Sequence, residues 1–137
     1  MLKMTLYLLS LFVFSSYSDE INFDELIYKT GLFYEKKTDQ VFSGDVTGSQ
    51  SGKILNGRKE GEWKGFYENG NLLWIGFYEK GLNDSKWIEY HQNGKIFALG
   101  FYENGNKTGI WTLFDKNGKK IAEEIYNKDS ITTKIYK

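Results

Sequence analysis

A chain of 137 residues with 18% aromatics and no proline carries bulky apolar side chains enough for one domain and is too short for two. Its 18 Lys+Arg balance 18 Asp+Glu, which argues against the basic excess of a nucleic-acid binder and against a polybasic membrane patch. The lack of cysteine removes disulfides, thiolate metal sites and cysteine nucleophiles.

The first 18 residues differ from the rest. Lys3 is followed by an apolar run from Leu6 to Phe14, broken only by Ser10, and then by Ser15-Ser16-Tyr17-Ser18 before Asp19-Glu20. A basic end, a short apolar core and a small-x-small step are the layout of a secretory signal peptide, with cleavage expected after Ser18. An uncleaved anchor or a buried first strand is the competing reading. The run is short of the ~20 residues a transmembrane helix needs. The expectation is therefore export to the periplasm, cell surface or medium, with no stable membrane span once residues 1–18 are removed. Residues 19–52 then read as an N-terminal leader segment packing on the array that begins at residue 53.

From residue 53 to 126 the chain repeats itself. Trp63, Trp87 and Trp111 stand 24 residues apart, and other columns keep that step: Gly57, Gly81 and Gly105; Gly70, Gly94 and Gly118, each after Asn; Tyr78, Tyr102 and Tyr126. Such a period marks an array of identical units. Asn-Gly at 69–70, 93–94 and 117–118 is the strongest short hairpin signal, because both residues tolerate the positive φ of a type I′ turn. Two strands of ~6 residues, that turn and a longer return loop account for one unit. The return loops begin at Gly57, Gly81 and Gly105. Gly61, Ser85 and Gly109 stand four residues on, at positions that suit a left-handed backbone. A helical reading fails, since every segment between turns is short and contains glycine, at ~1 kcal/mol each.

The expected fold is all-β: an elongated, single-layer antiparallel meander of three 24-residue β-hairpin repeats, closed by a tail or capping strand at 127–137. Side chains alternate between faces. Leu72, Trp74, Gly76 and Tyr78 point one way and Leu73, Ile75 and Phe77 the other, and the second repeat behaves alike. Both faces are apolar, so either the sheet curls or one face is covered, by the leader or by a partner. In the third repeat Lys120, Glu123 and Glu124 replace apolar residues or glycine, as a terminal cap would.

The pattern G-x-x-x-G-x-W-x-x-[FY]-x-x-N-G, ending near G-F-Y, resembles a MORN-type repeat, in the bacterial variant of YwqK-like proteins. Leu26-Ile27-Tyr28, Gly31-Leu32-Phe33-Tyr34 and Val41-Phe42-Ser43-Gly44 resemble the degenerate leader of such proteins, so the likeness covers about residues 26 to 126. Ser85 departs from it. The resemblance implies a binding protein without chemistry of its own. YwqK-like proteins are labelled antitoxins, which implies a cognate toxin as partner, while other MORN-type repeats serve as scaffolds or membrane-proximal modules.

Nothing else in the chain assembles into a reaction centre. His91 is the one histidine, and its repeat equivalents are Tyr67 and Asp115. A strand or surface role suits it better than catalysis. Asn83-Asp84 lacks the six or more oxygens of a calcium site, and the glycines form no phosphate loop. No catalytic residue, metal or cofactor is expected. The three Trp of the 24-residue column read as a stacked core ladder, with an exposed ladder for sugar or wall polymer as the competing reading. For binding, the candidates are Tyr67, Trp74 and Tyr90, facing a partner protein or, alternatively, a cell-surface component such as wall carbohydrate or a host surface.

Overall fold

The computed structural model describes residues 20–128 and 130–136, and the segment read as a signal peptide lies outside the described residues. The strands are β1 (Glu20–Asn22), β2 (Leu26–Lys29), β3 (Leu32–Glu35), β4 (Gly44–Thr47), β5 (Gln50–Leu55), β6 (Arg58–Phe66), β7 (Leu72–Glu79), β8 (Leu82–Tyr90), β9 (Ile96–Glu103), β10 (Asn106–Phe114), β11 (Lys120–Asn127) and β12 (Ser130–Ile135). Between β1 and β2 lies one 3-10 turn, Phe23–Glu25, capped by the Asn22 side chain. Strands β4 to β12 form an antiparallel meander in chain order, and β1 adds to β4 in parallel. The result is one open ten-stranded sheet, with β2 and β3 as a separate hairpin. The meander is the expected one; the parallel edge pair is outside the repeat pattern.

The turns exchange the roles expected of them. Two-residue connections with positive φ at both residues, the mark of type I′, occur at Asn56-Gly57 (50° and 76°), Lys80-Gly81 (51° and 86°) and Asn104-Gly105 (49° and 83°). They close the pairs Leu55–Arg58, Glu79–Leu82 and Glu103–Asn106. What reads as a return loop is therefore the tight turn plus the start of a strand, and β6, β8 and β10 reach nine residues. At the Asn-Gly positions only the glycine is left-handed, with φ of 84° at Gly70. There the Gly70 amide donates to the Tyr67 carbonyl at 2.8 Å and the Tyr67 amide to the Asn71 carbonyl at 2.8 Å. The loop holds one residue more than a type I′ hairpin, and Asn69 stays right-handed while its side-chain oxygen accepts the Asn71 amide at 3.0 Å. Asparagine is here for that local bond.

Burial divides the sheet. One face carries Trp63, Trp87 and Trp111, which are 0%, 7% and 1% exposed. Each ring lies on a glycine of the preceding strand, at Gly52, Gly76 and Gly100, where any Cβ would overlap the indole. A bulge in β6, β8 and β10, at the residue pair before each Trp, shifts the register by which the ring reaches that glycine. The leader closes the first end. Ile21, Leu26, Phe42 and Val46 bury themselves against Ile54 and Trp63. The Phe33 amide donates to the Gly57 carbonyl and the Gly57 amide to the Phe42 carbonyl, both at 2.8 Å. Strand β5 straddles residue 52 and supplies the glycine under Trp63, so the end of the leader is already half a repeat. At the other end the tail forms β12, paired along β11.

Candidate functional site

Three surfaces compete for function, and the first is already occupied. On the Trp face the rings of Trp63, Tyr78, Trp87, Tyr102, Trp111 and Tyr126 succeed one another edge to face, with centroids 6.2, 5.8, 5.4, 5.1 and 6.4 Å apart. This is the geometry aromatic quadrupoles favour. The Trp63 and Trp111 indole N–H groups donate to the carbonyls of Lys53 and Phe101 at 3.0 and 3.1 Å. The ladder is core, and its indoles are not a platform for sugar. Burial raises the Tyr78 and Tyr102 pKa values. The bond donated to the Glu124 carboxylate pushes Tyr126 up to about 12.

Lysines extend this ladder. Lys59 Nζ lies 4.2 Å from the Trp63 ring centroid, and Lys107 Nζ 4.0 Å from that of Trp111. Lys59 is 8% exposed, with further rings of Phe23 and Tyr78 at 5.2 and 4.9 Å. Its Nζ donates to Gln50 Oε1. Burial lowers its pKa to about 8.

At the Asn-Gly end, side chains tie each repeat to the next. Tyr67 Oη donates to the Tyr90 carbonyl at 2.7 Å, and His91 Nε2 meets the Phe114 carbonyl at 2.9 Å. Asn93 Nδ2 donates to the Lys116 carbonyl at 2.8 Å. His91 thus repeats the bridge of Tyr67. In the last repeat Asp115 turns inward and accepts the amides of Asn117 and Lys119, at 2.8 and 2.9 Å. These bonds, that from Lys119 foremost, hold its carboxyl below the usual range.

Among the described residues the opposite face stays open. Across it the register reads Lys64, Ile75, Ile88, Leu99, Thr112, Glu123 and Lys134, charged at both ends and apolar in the middle. Beside that row stand Phe77, Phe101 and Ile110, at 43%, 50% and 52% exposed, with Phe97 at 37%. An apolar centre with a charged border is the layout of an interaction surface.

The family described as MORN repeat variant matches at residues 59–80, 83–104 and 107–128, one match for each hairpin. The chain is a MORN-type repeat protein. Comparisons with curated proteins and with solved structures gave no match. Each MORN match begins two residues after the glycine of a type I′ turn, so the family unit is the hairpin that carries the Trp.

The binding candidates make contacts within this MORN array. Trp74 is half-buried and stacks on Trp87, with centroids 4.7 Å apart and planes 15° apart. Tyr67 and Tyr90, both half-buried, meet at the turn end through the bond above. Trp74 pairs with Gly65 and with Glu89 on the neighbouring strands. The glycine column Gly52, Gly76 and Gly100 and the lysines Lys59 and Lys107 lie outside the candidate set. The 24-residue step carried both signals, since Lys59 and Lys107 are two repeats apart and the three glycines keep the period.

Proposed function

We propose that this MORN-type protein is an exported, non-enzymatic module that binds a partner protein through the open face of its sheet. The observation that carries the reading is the exposed group Phe77, Phe97, Phe101 and Ile110 in the middle of that face. Large apolar side chains in water cost about 25 cal/mol for each Å² that a partner could cover. Aromatic anchors set in a polar rim are the usual seat of binding energy. Residues 1–18 support export, and the resemblance to YwqK-like antitoxins supports a toxin-like protein as the partner to be neutralised. Attachment to wall carbohydrate has less support, because the three Trp of the ladder are buried in the core.

The test is a pull-down from the native cell envelope with the chain from Asp19 onward as bait, beside a Phe77→Lys, Phe101→Lys double variant. A stoichiometric protein captured by the first and lost with the second supports the reading. Enrichment of wall polymer, or a protein retained equally by both baits, overturns it.

A further inference from the structure

A cleft of about 470 Å³ opens between the turn of the leader hairpin and the two type I′ turns that begin and end the first repeat. That volume suits a small ligand. We propose that this cleft binds a small aromatic carboxylic acid, an apolar ring carrying one carboxylate. It lies at the turn end of the Trp face, so the idea stands apart from the protein-binding reading of the other face.

The lining argues for that chemistry. Tyr28, Phe33, Tyr78 and Leu82 supply flat and apolar walls, and Arg58, Lys59 and Lys80 supply the charge. Among the described residues no Asp or Glu lines it. The corresponding cleft at the far end, beside Lys107, is lined by Glu103 as well and so lacks this single sign. Among the described residues Arg58, Lys59 and Lys80 form no ion pair. The Glu60 carboxylate accepts the Lys80 backbone amide at 2.9 Å, and the ammonium makes no ion pair with it.

The three charges hold different posts. Lys59 is buried behind the walls, bonded to a neutral amide and ringed by aromatic faces. Its charge is therefore not cancelled locally, and it projects into a low-dielectric recess. Arg58 runs its stem along Gly81, with Cβ and Cγ about 3.5 and 3.6 Å from where a Cβ would stand. Its guanidinium fork matches a carboxylate in two parallel bonds. Tyr28 is 63% exposed while its ring lies 4.9 Å from that of Phe33, which leaves one face of the pair open for a third ring. A ring without an anion leaves the cations unanswered, and an anion without a ring leaves the walls wet.

Titration of the ¹⁵N-labelled full chain with 3-phenylpropionate tests this, read at the amides of Gly31, Gly57 and Gly81, the glycines of the cleft. Propionate and 3-phenylpropylamine are the comparison ligands. The expected result is a saturable shift of those three amides with 3-phenylpropionate, and binding weaker by about tenfold or more for either comparison ligand. The Arg58→Ala, Lys80→Ala double variant should lose about tenfold in affinity. Because the Arg58 stem covers Gly81, Lys80→Glu serves as a second variant and should weaken binding with that stem in place. Equal response to acid and amine, no saturable shift at these amides, or undiminished affinity in Lys80→Glu would overturn the proposal.

Discussion

Ser85 holds the backbone angle of its glycine counterparts, φ of 60° beside 73° at Gly61 and 64° at Gly109. A Cβ at Gly61 or Gly109 would meet nothing within 4 Å, so the cost at Ser85 is one of backbone conformation and not of crowding. The left-handed region costs an L-residue about 1–2 kcal/mol. The exposed bond from Ser85 Oγ to Asp84, 2.8 Å, gives little back. Ser85→Gly, after the added freedom of glycine in the unfolded chain, should stabilise by several tenths to ~1 kcal/mol in urea unfolding. An unchanged or lowered midpoint would show that the Asp84 bond outweighs the strain. Lys59 makes the complementary case, a side chain under tension on a relaxed backbone. Its folded pKa of about 8 lies below the ordinary 10.5 because burial penalises the charge. Between these values the unfolded chain binds a proton that the folded chain has released. Stability should therefore rise with pH from about 8 toward 10.5, by at most about 1.4 kcal/mol per pH unit. The raised tyrosine values act in the opposite sense above about 10, so the rise is clearest between about 8 and 9.5. Lys59→Met should flatten it; an unchanged slope in that variant would assign the effect elsewhere.

Between strands, the working unit is an indole lying on a bare backbone. Gly76 has no left-handed φ, so alanine there fits the backbone and conflicts first with the Trp87 ring. Overpacking of this kind costs about 1–3 kcal/mol. Gly76→Ala should fall at the upper end, because Trp87 also stacks on Trp74 and is edge-packed by Tyr78 and Tyr102. Urea unfolding with near-ultraviolet circular dichroism would measure it, and a loss below about 0.5 kcal/mol would mean the ring can step aside. This pairing explains how far the elements could be read from residues alone. The period located the hairpins β6–β7, β8–β9 and β10–β11, and alternation put Trp74, Gly76 and Tyr78 on one face. The identity of the turns was ambiguous, because Asn-Gly stands at both ends of the hairpins, at Asn56-Gly57 and Asn104-Gly105 as well as at Asn69-Gly70, and Lys80-Gly81 breaks the first of these columns. Inverting the turns lengthened the strands at the expense of the return loops. The internal contacts of the binding candidates were hidden for a related reason. Periodicity tells which side chains share a face, but not that the indoles fold back onto their own sheet, nor that a turn tyrosine bonds the carbonyl 23 residues on.

Across the whole molecule, the core is two clusters in series. One joins the leader to Trp63, the other gathers Trp87, Ala98 and Trp111, and Trp74 and Tyr78 pack against both. An array of this kind owes its cooperativity to nearest-neighbour contacts, so the stability of the first half reaches the second mainly through those two residues. Trp74 is peculiar to its repeat: Ala98 and Ala122 stand at the same step, and Gly65 makes room beneath its ring where Glu89 and Leu113 stand later. That substitution of large for small, paired with glycine opposite, fills the junction between the two clusters. Trp74→Ala should cost about 3 kcal/mol through the lost ring, and the loss should be uneven. Hydrogen exchange should speed most in β5 and β6, while β9 to β11 keep near their original protection. The reason is that Trp87 retains Tyr102 at 5.4 Å and Tyr102 retains Trp111 at 5.1 Å. Equal acceleration along the whole sheet would mean that the ladder melts as one unit, and that Trp74 is one rung among many and not the hinge between two blocks.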